Sequence, residues 1–249
     1  MEIVCRAGIQ VTGDGAREVH DDIIVEDRVR LFLNGELLTT LVASRDRLDE
    51  LGAGFVISEG LVDEVDSVNV SGNDVHITAP ARRDVELATE SSGGSCALCE
   101  PRSVESSITT TVETIRAVTA SIESEVWRKT GAVHCSVLFC NGEFVTRACD
   151  VGRHNTVDKV VGHAALRGLD RSTCILGCTG RQPAGMVAKA ANAGIPIVVS
   201  RAASTDRGIL TAKEAGLTLV CFSRGERFTI YTHPERVPEV LEELGKTQK

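Results

Sequence analysis

The chain has 249 residues and a mass of 26.5 kDa, enough for one large domain or two small ones around a buried core. Apolar residues make up 42% and the mean hydropathy is +0.02, which excludes both a disordered chain and a membrane-embedded one. The net charge of -8 is unevenly divided: residues 1–126 carry 10 Lys+Arg against 24 Asp+Glu, and residues 127–249 carry 17 against 11. A pI near 5.3 argues against duplex nucleic acid, whose phosphates need a basic face, but leaves the basic half free to hold a compact anion.

Residues 1–22 are polar, contain glycine and show no clear period. The start has no basic segment followed by an apolar run, so no export signal is expected. No apolar run approaches the ~18 residues of a membrane span. With nine cysteines, an odd number, and no export signal, reduced thiols and a cytoplasmic location are expected. From Ile23 to Ser44 two alternating runs flank Asn34-Gly35, a strong hairpin signal. A helix is predicted over 45–61, capped by Ser44, with Leu48, Leu51, Phe55 and Val56 as its apolar stripe. Short strands near 66–70 and 74–78 complete a small acidic α+β domain over residues 1–80.

Residues 81–101 read as a flexible loop, rich in Ser and Gly and carrying Cys96-Ala-Leu-Cys99. A helix is expected after Ser103, with Ile108, Val112, Ile115 and Ile122 at helical spacing. A second hairpin follows, 132–140 and 143–149, joined by Asn141-Gly142. The remainder alternates strand and helix: strands 173–178, 195–200 and 217–222, helices near 183–193 and 204–215. Such alternation predicts parallel strands covered on both faces, so residues 102–249 are expected to be an α/β domain with a mixed sheet.

The carboxyl ends of these strands gather the polar chemistry. They read Cys178-Thr179-Gly180-Arg181, Ser200-Arg201 and Phe222-Ser223-Arg224-Gly225, and open α/β sheets bind ligands at that edge. Arg153, His154 and Asn155 lie where a helix begins after Gly152, and free N–H groups at such an end favour anions. Arginine matches phosphate oxygens two at a time, so a phosphate-bearing ligand is expected. The alternative is that these arginines are solvated turn charges, that His154 pairs with Asp158 on the surface, and that His134 is a satisfied core histidine. No G-x-G-x-x-G and no Walker sequence is present.

The Cys96/Cys99 pair lies in the loop, several residues before its helix, unlike a thioredoxin-type pair, and it lacks a second matching pair for zinc. A thiolate at Cys96 can accept a sulfur atom as a persulfide, with Cys99 regenerating it.

Several segments together resemble one known family: Phe55-Val-Ile-Ser-Glu-Gly-Leu61, the C-x-x-C loop, the Gly152–Gly162 run beginning Gly-Arg-His-Asn, Thr179-Gly-Arg181, the Lys189–Val198 run, Gly216–Val220 and the closing Phe228–Arg236. The chain is similar over about residues 25–237 to the formate dehydrogenase accessory sulfurtransferases. That resemblance implies a cytidine-deaminase-like layered mixed sheet with helices on both faces, plus the small N-terminal α+β domain. It implies a homodimeric sulfur carrier that takes sulfur from a cysteine desulfurase. The sulfur passes to a molybdenum bis-molybdopterin guanine dinucleotide destined for formate dehydrogenase. Carried across, Cys96 is the persulfide residue, Cys99 its companion, and Phe222, Ser223, Arg224, Gly225, Glu226 and Arg227 the cofactor-contacting segment. Ala97 and Glu100 stand where the family loop has glycines, and Gly185, Ala203-Ser204-Thr205 and Ala132 also depart from its pattern. A second reading is a chaperone that binds the guanylated cofactor without transferring sulfur. A zinc deaminase would need H-x-E followed by P-C-x-x-C; His134 is followed by Cys135-Ser136 and Ser95 precedes Cys96, so no metal site is expected.

Overall fold

In the computed structural model, which describes residues 1–80 and 101–247, the strands gather into three sheets. Strands β1 (Ile3–Thr12) and β2 (Gly15–Ile24) form an antiparallel ribbon paired from Ile3↔Ile24 to Thr12↔Gly15. This is the stretch in which composition shows no period. Alternation is present in Ile3, Cys5, Ala7, Ile9 and Val11, but most of the ribbon is exposed, so polar residues crowd both strands. Only its root, including Ile3 and Ile24, packs on the core.

Strands β3 (Asp27–Leu33), β4 (Glu36–Ala43), β5 (Ser67–Ser71) and β6 (Asp74–Thr78) make a four-stranded sheet of order β4-β3-β6-β5, with β6 parallel to β3. The predicted turn is present: Asn34 and Gly35 both take positive φ, 52° and 93°. Helix α1 (Leu48–Ser58) starts later than expected. Ser44 does not cap it; its backbone N–H donates to Asp150 Oδ2 at 3.1 Å, and Arg47, left-handed at φ 55°, precedes the first turn.

Residues 101–111 are not helical, contrary to the spacing of Ile108 and Val112. Long-range backbone bonds hold the segment out, from Val104 N to Ala215 O at 2.8 Å and from Thr110 N to Arg236 O at 2.7 Å. Helix α2 (Val112–Ser121) begins instead where Thr111 Oγ1 accepts from Thr114 N, and α3 (Glu125–Thr130) where Ser124 Oγ accepts from Trp127 N.

The remaining elements are β7 (His134–Cys140), β8 (Glu143–Asp150), α4 (Arg153–Leu166), β9 (Cys174–Cys178), α5 (Ala184–Asn192), β10 (Ile197–Ser200), α6 (Asp206–Glu214), β11 (Thr218–Arg224), β12 (Arg227–Thr232) and α7 (Pro238–Thr247). Their six-stranded sheet runs β12-β11-β10-β9-β7-β8, parallel through β11, β10 and β9 and antiparallel at both flanks. The expected mixed α/β sheet with helices on both faces is therefore the fold. One face packs Leu138, Leu176, Val198 and Leu219 against α4 and α5; the other packs Val137, Ile175, Val199 and Val220 against α2.

The first face shares one continuous core with α1 and the four-stranded sheet. Glycines make that closeness possible: a Cβ on Gly54 would fall 1.7 Å from Asp158 O, and one on Gly162 would fall 1.9 Å from Glu50 O. Two of the cysteines expected to be reduced, Cys140 and Cys174, face each other across β7 and β9 and form a disulfide. Their separation of 34 residues hides that register from the sequence. Among the described residues no helix is long and apolar enough to cross a membrane.

Candidate functional site

Three parallel strands ending side by side bring their last residues to one edge, and a cavity of about 480 Å³ opens there. Thr179 after β9, Arg201 and Ala202 after β10, and Arg224 at the end of β11 line it, as expected from the strand-end pattern. The opposite wall comes from α3 and its flanks, with Glu123, Trp127 and Ala132, and from Val133, His134 and Val151 beside β7 and β8. Two cations and one carboxylate thus face the space. Arg201 pairs with Glu123, whose carboxyl the guanidinium holds below its usual range. Arg224 reaches back to donate from Nε to Arg201 O at 3.0 Å.

His134 is neither a satisfied core residue nor a free one. It is half-buried on the cavity wall, with Nδ1 3.0 Å from Thr179 Oγ1, and that hydroxyl also accepts from Cys135 N at 3.1 Å. Burial and the nearby Arg153 lower its pKa and favour the neutral ring. Trp127 is 42% exposed and presents an indole to the cavity.

The other predicted residues divide. Phe222 has φ 52° within a strand, at a shift of the β11/β12 register, and its N–H donates to Ala202 O at 3.0 Å. Ser223 is buried, with Oγ 2.6 Å from Thr119 Oγ1, so it faces α2 rather than the cavity. Gly225 (φ 56°), Glu226 and Arg227 are exposed at the β11–β12 turn, where Glu226 pairs with Arg116 at 2.8 Å.

Arg153 and His154 open α4, capped by Gly152 without a side-chain bond. Arg153 packs against Gly180, where a Cβ would sit 3.0 Å from Arg153 Cβ. Both ring nitrogens of His154 are buried without a partner among the described residues, and burial, Lys189 and Arg153 push its pKa down to about 3. The proposed surface pair with Asp158 is corrected: Asp158 is buried and binds Lys189 at 2.9 and 3.0 Å. Asn155 is buried as well, donating from Nδ2 to Val42 O and Asp150 Oδ1, both at 2.8 Å. It ties α4 to β4 and β8 and does not line the cavity. Gly180 is buried, its carbonyl accepting from Ser200 Oγ and Gln182 Nε2, while Arg181 is exposed outside the cavity.

Cys96 and Cys99 lie outside the described residues, as does the rest of 81–100. The residues that flank the segment are fixed. Asn34 brackets Ala79 with two side-chain bonds of 2.9 and 3.1 Å, Arg102 N donates to Asn192 Oδ1 at 3.2 Å, and Val104 N to Ala215 O. Asn192 and Ala215 precede β10 and β11, so residues 102–104 attach at the amino ends of the parallel strands, the edge opposite the cavity. Glu123, Trp127 and Val151 line the cavity but stand outside the strand-end pattern that marks it in the sequence. A signal existed for one of them, because the chain's single tryptophan sits in a short capped helix rather than in an apolar run.

A family model described as the FdhD/NarQ family matches residues 24–238. A sulfur carrier protein FdhD of Methanothermobacter thermautotrophicus is 35% identical over 238 residues, which cover 90% of this chain and 94% of that protein. A sulfur carrier protein FdhD of Wolinella succinogenes is 36% identical over 240 residues, covering 88% and 84%. Among solved structures, a candidate formate dehydrogenase accessory protein from Desulfotalea psychrophila superposes with a TM-score of 0.85 at 26% identity, over 94% of this chain and 99% of that one.

Proposed function

The chain belongs to the FdhD/NarQ family, and from that premise we propose that it is a sulfur carrier that serves formate dehydrogenase by loading sulfur onto a guanylated molybdenum cofactor held as cargo. The observation that carries the cargo site is the convergence of Thr179, Arg201 and Arg224 at one strand-end cavity. An indole face at Trp127 suits stacking on a base, the Glu123 carboxylate accepts from a purine N–H edge, and Arg224 meets phosphate. In this reading Cys96 acts as the sulfurtransferase residue: its thiolate attacks the outer sulfur of a cysteine desulfurase persulfide, and the donor thiolate leaves. Cys99 thiolate then attacks the inner sulfur of the Cys96 persulfide, hydrosulfide leaves as the transferred sulfur, and a dithiol reductant reopens the resulting Cys96–Cys99 disulfide; the protein works as a cytoplasmic homodimer.

Two variants test the two halves. Cys96→Ala is expected to abolish formate dehydrogenase activation while leaving guanosine diphosphate binding intact. Arg224→Ala is expected to weaken that binding about 5- to 30-fold, the loss of one charge-assisted bond of about 1–2 kcal/mol. If Cys96→Ala keeps full activation, the protein is a cofactor chaperone rather than a carrier.

A further inference from the structure

β7 and β8 set Cys135 and Cys149 directly opposite each other, with their sulfurs 2.8 Å apart and both thiols free. Directly opposed residues of antiparallel strands stand ~4.5–5.5 Å apart at Cα, within the span a disulfide takes. Cys135 is fully buried and donates to Ser124 Oγ at 3.0 Å; Cys149 is half-buried. Their chemistry is split by this setting. The Cys135 thiol beside it, helped by Ser124 and Arg147, lowers the Cys149 pKa to about 7. The neighbouring sulfur and burial push Cys135 up. Cys178 and Cys221 are raised to about 12, chiefly by burial.

The pair also lies against the cavity wall. Val133 and Val151 line the cavity, belong to the same apolar cluster as the two cysteines, and are two residues, about 7 Å, along each strand from them. Ser124 caps α3, the helix that contributes Trp127 to the opposite side of the cavity.

We propose that Cys149 and Cys135 form a second sulfur-handling centre, a dithiol that takes sulfur from a persulfide and releases it as hydrosulfide beside the cavity. The proposal rests on the sulfur-carrier reading. Cys149 thiolate attacks the outer sulfur of a persulfide; the donor's S–S bond breaks, the donor leaves as a thiolate, and Cys149 becomes a persulfide. Cys135, already in contact, then attacks the inner sulfur of Cys149. A Cys135–Cys149 bond forms, the bond to the terminal sulfur breaks, and hydrosulfide departs with its electron pair. One persulfide and two thiols thus yield one thiol, one disulfide and hydrogen sulfide. The transferred sulfur is reduced by two electrons that the two cysteines supply, and a dithiol reductant returns them to the thiol state.

The test uses the full chain carrying Cys96→Ala and Cys99→Ala, fully reduced and then freed of reductant, with glutathione persulfide as the probe. The expected result is one sulfide released per chain and a Cys135–Cys149 disulfide found by peptide mapping. Adding Cys135→Ser should trap one extra sulfur on Cys149 and cut sulfide release at least tenfold; adding Cys149→Ser should give neither product. Sulfide release undiminished by Cys149→Ser, or a disulfide that forms with diamide but not with persulfide, would overturn the proposal. Because Cys135 is in the core, alkylation mapping of the chain with both cysteines intact serves as a measurement without a core variant, and two unchanged thiols after persulfide would also overturn it. Since Cys96 and Cys99 are replaced, failure here leaves the Cys96 reading standing, and that reading fails separately if the desulfurase does not label Cys96.

Discussion

Lys159 in α4 and Lys189 in α5 carry charge into the core. Lys159 Nζ is bonded to Asp150 Oδ2 at 2.7 Å, Asp46 Oδ1 at 3.0 Å and Ser44 O at 3.3 Å, with both Lys159 and Asp150 fully buried. Removing one partner of such a pair leaves a desolvated charge. Asp150→Ala is therefore expected to cost about 3–5 kcal/mol in urea unfolding, and Asp46→Ala, at the more exposed end, clearly less. Lys189 is shared by two carboxylates, Asp158 and Glu59. Burial, with Glu59 adding to it, raises the Asp158 carboxyl to about 6. A carboxyl raised on folding stabilises fully below its ordinary value of 3.8 and loses that contribution as pH rises through 6. Asp158→Asn should flatten the stability curve between about pH 4 and 6, by on the order of 2–3 kcal/mol, in urea titrations across that range.

Among the elements, the α1–α4 contact admits the least change. Gly54→Ala would drive a methyl into the Asp158 carbonyl, and neither helix backbone can yield without separating, so a loss of about 3 kcal/mol or outright failure to fold is expected on thermal melting. Gly245, in α7, has nothing within 4 Å of its Cβ position, and Gly245→Ala should instead gain roughly 0.5–1 kcal/mol. The two Asn-Gly hairpins were legible in sequence because a two-residue turn with positive φ depends on those residues alone. The start of α2 was not: Ile108 has helical spacing, but the backbone bonds that keep 103–111 extended come from residues more than 100 positions away.

At the scale of the whole molecule, the excess of cations in residues 127–249 does not all face solvent. Lys159 and Lys189 are neutralised in the core, and Arg201 is matched by Glu123, which belongs to the acidic half. The cavity is accordingly less basic than the sequence division suggests, and in the proposed cargo reading phosphate falls chiefly to Arg224. The central strands β7, β9, β10 and β11 are buried on both faces, whereas the β1–β2 ribbon is exposed along most of its length, with Ile9 and Val11 at 76% and 75%. Hydrogen exchange is expected to be slowest in β9 and β10, near the global unfolding limit, and fastest toward the tip of the ribbon, by several orders of magnitude.

The sequence by itself determined the local features: the turns, the order of strands and helices between residues 132 and 222, and the edge of the sheet where Thr179, Arg201 and Arg224 emerge. Each follows from a period or a backbone preference confined to a few residues. Only the tertiary structure decided which polar residues face that edge. Ser223 and Asn155 carry suitable chemistry in sequence but turn toward α2, β4 and β8, while Glu123 and Trp127 arrive from a separate helix. It also paired Cys135 with Cys149 and Cys140 with Cys174, because facing positions on antiparallel strands are set by register across the sheet, which spacing along the chain does not encode.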